Sequence, residues 1–151
     1  MLPFFRLPAA ERRLLLQALF LLGVARVALR LARLRTVRIW VGRLVGARHP
    51  SAIHTRQRII WAVEAASRRL PGATTCLPRA FVAHALLARE GYAARLRIGV
   101  ALSPEEGFSA HAWVECDGAP VIGGRDLGRY RPLLQFDALE LASPSGGRSA
   151  S

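Results

Sequence analysis

The residues in this chain best suited to nucleophilic chemistry are one cysteine and one histidine. Cys76 lies in "TTCLPRAFVAHALLAREG", two residues before Pro78, and His111 follows 35 residues later in "AHAWVE". Pro78 suits the first turn of a helix, because its missing N–H would have no partner within the helix. Free backbone N–H groups at a helix start favour the nucleophilic thiolate and can stabilise an oxyanion. Cys76 is therefore a candidate nucleophile, the alternative being a small apolar residue at a helix end.

A thiol nucleophile needs a general base, and the chain has four histidines to supply one. His84 lies more than two helical turns after Cys76, roughly 12 Å away, which is too far to share a proton. His49 and His54 lie in an arginine-rich region and look like surface residues. His111 differs because it lies in a predicted strand. We therefore predict that Cys76 is the nucleophile and His111 the general base.

The hydrophobic pattern predicts that helices come first along the chain. Apolar residues at helical spacing predict one long helix over residues 9 to about 36, a second over 53–70, and a third from Cys76 to about Glu90. A break is expected in "VGRLVGARHPSA", where glycine and proline interrupt the pattern. Gly91 stands where a glycine commonly ends a helix.

After Gly91 the hydrophobic period changes to two, which is typical of strands. Three candidate strands follow in "AARLRIGVAL", "SAHAWVEC" and "APVIG". Between the last two, Asp117-Gly118 is a dipeptide typical of a tight hairpin turn. The order of elements predicts an α+β fold, with N-terminal helices packed on a small antiparallel sheet.

Composition sets the expected organisation and compartment. We expect an N-terminal helical region over residues 1–50, a catalytic core over 51–141, and a small, polar, disordered tail over 142–151. The two cysteines cannot form a disulfide-rich scaffold, so a reducing cytoplasm is the expected compartment. Neither the cysteines nor the histidines have metal-ligand spacing, so no metal or other cofactor is expected. The longest uncharged run near the start has only twelve residues, so no transmembrane segment is expected.

The charge is strongly positive and bears on partners. The chain has 22 basic residues, all arginine, against 10 acidic ones, a net charge of +12. Such a chain attracts acidic peptides, nucleic acid and anionic membrane surfaces. The arginines are spread around the helices rather than interleaved with aromatics on one strand face, which argues against a nucleic-acid binder.

The stretches "CLPRAFVAHALLAREGYAARLRIGV" and "AHAWVECDGAPVIGG" resemble a known family. They are similar to the B-type leader peptidases of lasso peptide biosynthesis, transglutaminase-like cysteine peptidases, in the stand-alone form. The resemblance runs from roughly residue 9 to residue 134, and its most specific parts are Cys-Leu-Pro and His-Ala-Trp-Val-Glu. It implies a transglutaminase-like, papain-like fold with Cys76 as nucleophile and His111 as general base.

The resemblance also implies a third catalytic residue and a set of partners. Many relatives carry an aspartate about twelve residues after the histidine, where this sequence has Gly123. Regular hairpin pairing would put Gly124 opposite His111, so the expected substitute is Asp126, with Asp117 as runner-up. The implied partners are the leader region of a lasso precursor peptide, a separate small leader-binding protein, and the ATP-dependent lasso cyclase.

Two other functions fit the same residues. An acyl transferase of transglutaminase type would use Cys76 and His111 but pass the acyl group to an amine instead of water. A non-catalytic partner-binding subunit would not need Cys76. The role of Trp113 is also open, since its ring either packs against a helix or shields the site from water.

Overall fold

The computed structural model describes residues 7–45, 53–70 and 76–137. Within these residues four helices precede four strands, in agreement with the α+β prediction, and a short 3₁₀ helix lies before the last strand. The helices are α1 (Ala9–Leu31), α2 (Leu34–Val45), α3 (Arg56–Arg69) and α4 (Cys76–Arg89). The strands are β1 (Ala94–Ser103), β2 (Gly107–Cys116), β3 (Ala119–Ile122) and β4 (Arg131–Asp137), and the 3₁₀ helix spans Leu127–Arg129.

The first predicted helix is two helices in the structure. The chain becomes extended at Ala32, with φ −130° and ψ 161°, and α2 begins two residues later at Leu34. The prediction of one helix over residues 9 to about 36 was therefore wrong. No glycine or proline marks this break, so the local sequence carries no signal for it. Gly42, expected to interrupt the pattern, lies within α2, and residues 46–52 fall outside the described residues.

The next two helices agree closely with their predictions. Thr55 caps the start of α3, since its hydroxyl accepts a hydrogen bond from the backbone N–H of Arg58 at 3.4 Å. After α4, Gly91 has φ +85°, the left-handed conformation that commonly follows a helix end. The chain then enters β1 within three residues, which joins the end of α4 directly to the sheet.

The core lies between the helices and one face of the sheet. Helices α1, α3 and α4 pack against one another, and α4 also packs on β2 and β1. Phe81 of α4 is fully buried at the centre, together with Leu96 of β1 and Val114 of β2. We call the sheet face that contacts the helices the inner face, and the opposite face the outer face.

The sheet is antiparallel, with strand order β3-β2-β1-β4. Strand β4, which pairs with β1 at the far edge of the sheet, was not among the predicted strands. Its sequence, "RPLLQFD", lacks clean alternation and contains Pro132, a residue found essentially only in edge strands. Strand β4 is defined by its pairing with β1 and cannot be predicted from its local sequence.

Helix α1 is long and apolar enough to cross a membrane, judged by length and composition alone. The prediction of no spanning segment relied on the twelve-residue uncharged run, whereas the whole helix has 23 residues. One side of α1 is nevertheless part of the core. Its buried residues are Leu14, Leu15, Ala18, Leu21, Leu22, Ala25 and Ala28. A core helix of this kind passes the same length and composition test.

Candidate active site

Cys76 is the first residue of α4 and is half-buried. The two residues after it anchor the start of the helix, because Pro78 is buried and Leu77 packs against the core. The Cys76 Sγ lies 4.0 Å from the carbonyl oxygen of Ala110. The helix start therefore brings the thiol to β2, beside the residue that precedes His111.

The ring of His111 is fixed by a hydrogen bond to the main chain. Its Nε2 lies 2.7 Å from the carbonyl oxygen of Gly123. A carbonyl oxygen can only accept, so Nε2 must carry the proton and donate it. In the neutral ring Nδ1 then has a lone pair and can accept a proton. His111 is thus held in the tautomer that a general base requires.

An irregularity in the β2–β3 hairpin brings Gly123 to this position. Asp117 and Gly118 both have positive φ, 53° and 78°, and form the tight turn that the sequence predicted. A bulge at Val114 and Glu115 then shifts the pairing by one residue, so the expectation that Gly124 lies opposite His111 does not hold. A Cβ on Gly124 would instead meet the ring of Pro120 at 3.0 Å.

Gly123 itself occupies a site that only glycine fits without strain. Its φ is +72°, and a Cβ built on it would lie 2.8 Å from the carbonyl oxygen of Ala112. The same Cβ would lie 3.2 Å from the Cβ of Trp113. The absence of a side chain therefore lets the main chain approach β2 closely enough to reach His111.

Neither predicted carboxylate holds His111 in the structure. Asp126 is exposed, has φ +53° and precedes the 3₁₀ helix, and the hydrogen bond of His111 goes to Gly123 instead. Asp117, the runner-up, lies on the hairpin turn and pairs with Arg56 of α3 at 3.0 Å. The physical reason is the close approach of Gly123, whose carbonyl occupies the partner position of Nε2.

Two aromatic rings lie beside His111. The centroid of Trp113 is 6.2 Å from the imidazole centroid, and that of Tyr130 is 5.0 Å away, both in stacked orientations. Side chains alternate along β2, and Ala112 and Val114 point into the helical core. Trp113 therefore lies on the outer face with His111, outside the core that the described helices form with the sheet. The sequence gives no signal for Tyr130, because this residue lies in a loop without hydrophobic periodicity.

The thiol and the imidazole are not hydrogen-bonded to each other in the described part of the chain. The thiol interacts with the Ala110 carbonyl, while His111 interacts through Nε2 with Gly123. Catalytic hydrogen bonds are often long or poorly aligned before substrate binds. Transfer of the proton to His111 requires the thiol hydrogen to turn from the Ala110 carbonyl toward Nδ1.

The remaining cysteine and histidines have structural environments. Cys116 is buried, and burial raises the pKa of its thiol; Asp117 raises it further, and Arg56 only partly opposes this. His84 is fully buried in α4, with Nε2 3.2 Å from the carbonyl oxygen of Ala94. Within residues 7–45, 53–70 and 76–137, no three histidine, cysteine or acidic side chains are grouped so as to hold a metal ion.

Comparison with known proteins identifies the family. Residues 18–135 match the family described as the transglutaminase-like superfamily. Comparisons with curated proteins and with solved structures found no match. The matched region runs from α1 into β4 and includes both Cys76 at the helix start and His111 on the strand. The chain therefore belongs to the transglutaminase-like superfamily.

Proposed function

We propose that this protein is a cysteine peptidase that removes the leader from a ribosomally made lasso peptide precursor before macrolactam cyclisation. The observation that carries the proposal is the tautomer of His111, whose Nε2 proton is committed to Gly123, leaving Nδ1 to accept a proton. Membership in the transglutaminase-like superfamily is compatible with a cysteine peptidase or an acyltransferase. The resemblance of "CLP" and "HAWVE" to the lasso leader peptidases supports the narrower substrate class.

The reaction follows from these groups. Cys76 gives its proton to Nδ1 of His111, and the thiolate attacks the carbonyl carbon of the last leader residue. The C–N bond breaks, and the imidazolium passes the proton to the departing amine, which becomes the N-terminus of the core peptide. Water then gives a proton to Nδ1 and attacks the thioester, releasing the leader carboxylate and restoring the thiol. Throughout, Gly123 keeps the ring oriented through Nε2–H.

The direct test is cleavage of a leader-bearing precursor, followed by mass spectrometry. We expect Cys76→Ala to abolish cleavage and His111→Ala to lower kcat by several orders of magnitude, because nucleophile and base act as a unit. Cys116→Ala is the matched control and should retain activity, since that thiol is buried on the inner face. Full activity of Cys76→Ala would refute Cys76 as the nucleophile, and absence of cleavage by the wild type would favour a non-catalytic subunit.

The competing acyl transferase is distinguished by its product. It would use the same thioester but pass the acyl group to an amine, so the leader would end in an amide, heavier than the free acid by the mass of the amine less one water. Adding a small primary amine to the cleavage assay separates the two outcomes. A leader that ends in a free carboxylate in the presence of the amine supports the peptidase, and an amide product supports the transferase.

We further propose that a separate small leader-binding protein delivers the precursor and that the ATP-dependent cyclase receives the product. Helix α1 offers a surface for this delivery. Four large apolar side chains lie exposed on it, and we call them the outer stripe: Leu16, Phe20, Val27 and Leu31. The exposed Arg30 lies beside the stripe and Arg33 just beyond it, so an acidic partner or leader would be attracted.

The delivery proposal is tested by the effect of the partner on the cleavage rate. We expect the leader-binding protein to raise the rate by about tenfold or more, because it raises the local concentration of substrate. The double variant Leu16→Ser/Phe20→Ser should lose this stimulation and keep its basal rate. Leu133→Ser removes an exposed apolar side chain from β4 and is the control. Equal stimulation of the double variant and the wild type would exclude the outer stripe as the docking surface.

A further inference from the structure

Three side chains on the outer face of the sheet form a connected series that ends at His111. The indole Nε1 of Trp113 donates a hydrogen bond to Oε1 of Glu115 at 2.9 Å. The other carboxylate oxygen, Oε2, is paired with Nε of Arg97 at 2.9 Å. Arg97 is the cross-strand partner of Trp113, so two adjacent strands hold the indole. The indole in turn stacks beside the imidazole of His111.

This series is largely removed from water. Trp113 is only 3% exposed, and the side chains of Glu115 and Arg97 are 16% and 26% exposed. Burying a carboxylate is costly unless its charge is compensated, and here the indole N–H donates to one oxygen while the guanidinium forms an ion pair with the other. Trp113 does not belong to the helical core cluster. The series therefore organises the outer face beside His111 and contributes little to the packing between helices and sheet.

The absence of a side chain at Gly99 makes room for the indole. Gly99 pairs with His111 across β1 and β2, and a Cβ on Gly99 would lie 2.9 Å from the indole ring. The same Cβ would lie 3.0 Å from the carbonyl oxygen of Arg131. The ring thus occupies the space above Gly99, while Glu115 fixes its N–H end. The hydrogen bond thus holds the N–H end of the indole, and the ring packs in the space that Gly99 leaves open.

A fixed indole restricts the imidazole in turn. The hydrogen bond to Gly123 fixes Nε2 but leaves the ring free to swing about that contact. The Trp113 and Tyr130 rings limit this swing, because each stacks with the imidazole. Aromatic rings also attract the cation that His111 becomes when it takes the thiol proton. We propose that Glu115 and Arg97 are positioning residues for His111, acting through Trp113; this inference rests on the proposed function.

The kinetic test compares variants of Glu115 in the precursor-cleavage assay. Glu115→Ala should lower kcat on the order of 10- to 100-fold with little change in KM, because a misplaced catalytic group slows chemistry without weakening substrate binding. Glu115→Gln keeps an oxygen that can accept the indole N–H and should stay within about fivefold of wild type. Arg97→Gln should lower kcat in the same direction by less than Glu115→Ala does. Glu11→Ala breaks a remote ion pair with Arg58 and is the control.

The second measurement is independent of turnover. In ¹⁵N-labelled protein, the imidazole resonances of His111, assigned by comparison with His111→Gln, report its tautomer and mobility. Glu115→Ala should broaden or shift these resonances toward mixed tautomers, and Glu115→Gln and Glu11→Ala should not. Unchanged resonances in Glu115→Ala, or an unchanged kcat, would overturn the positioning role. A wild-type protein that cleaves no precursor yet shows the predicted resonance change would refute the proposed function alone.

Discussion

The imidazole of His111 is oriented by the backbone carbonyl oxygen of Gly123, 2.7 Å from Nε2, where a carboxylate was expected. Both kinds of acceptor select the same tautomer, because each requires Nε2 to donate. They differ in charge, since a carbonyl is neutral and stabilises the imidazolium less than a carboxylate does.

The first prediction concerns Asp126. Because its side chain is exposed and His111 is already bonded to Gly123, Asp126→Ala should change kcat/KM by less than about threefold, the range expected of a surface substitution. Initial rates of precursor cleavage measure this, with His111→Gln as the inactive reference. A loss of about 100-fold or more, approaching that of a true triad member, would show that Asp126 reaches His111 during catalysis.

The second prediction concerns an attempt to restore the missing carboxylate. Gly123→Asp should lower stability and activity, because the left-handed backbone costs about 1–2 kcal/mol for a residue with a Cβ and the new Cβ also meets Ala112. The matched control is Gly107→Asp, which has nearly the same φ, +71°, with open space around it. Urea denaturation of both variants measures their free energies of unfolding, and the difference between the two losses is the part due to the contact with Ala112. If Gly123→Asp were as stable as Gly107→Asp and more active than wild type, the backbone arrangement would be wrong.

The third prediction separates the two thiols. Iodoacetamide near neutral pH should modify Cys76 well before Cys116, because Cys76 is half-buried at a helix start, whereas burial raises the pKa of the Cys116 thiol. Peptide mass spectrometry after timed labelling measures both rates, and labelling in urea provides the reference for full exposure. Faster labelling of Cys116 in the folded protein would contradict the burial that the structure assigns to it.

The fourth prediction concerns the buried Glu90 at the end of α4. Burial alone would raise its pKa, but hydrogen bonds from the backbone N–H groups of His54 and Ile53, together with Arg89, lower it overall. Glu90→Gln should therefore cost about 1–3 kcal/mol at neutral pH, as expected for a hydrogen-bonded charge. Chemical denaturation of the variant and the wild type measures the difference.

The pH dependence of that difference provides the check. Because the folded-state pKa of Glu90 is lower than the unfolded one, its stabilisation is complete above the ordinary value of about 4.3 and is lost as pH falls through the folded value. The gap between wild type and Glu90→Gln should shrink over this acidic range. Glu105→Gln, on the exposed β1–β2 turn, is the control. A gap that stays constant from neutral to acidic pH would rule out the ionised carboxylate as its source.

Much of the fold could be predicted because the decisive signals are local. The hydrophobic period marks α3, α4 and the first three strands, and Asp117-Gly118 marks the turn between β2 and β3. The break at Ala32 could not be predicted because no glycine or proline marks it, although Ala32 packs against the core. Strand β4 could not be predicted because it depends on pairing with β1, far away in the sequence.

The residues of the candidate site also differ in whether a local sequence signal marks them. Cys76 and His111 were selected from residue type and local context, because a thiol at a helix start and a histidine on a strand each have a recognisable sequence setting. The partner of His111 could not be selected in this way. A bulge of one residue decides which atom reaches Nε2, and no side chain marks that atom. The indole network through Glu115 was likewise hidden, because it depends on the register of β1 against β2.

The hydrogen-bond acceptor for His111 is a main-chain carbonyl oxygen, and Gly123 presents it by adopting a backbone conformation with positive φ. An alanine scan of this loop would find no side chain whose loss resembles the loss of a triad member. It would score residue 123 as a folding position, because the damage would register as instability. Genome mining that demands an acidic third residue would discard this sequence, even though its backbone provides the acceptor. A search for a histidine ring that faces the carbonyl oxygen of a glycine with positive φ would retain such chains.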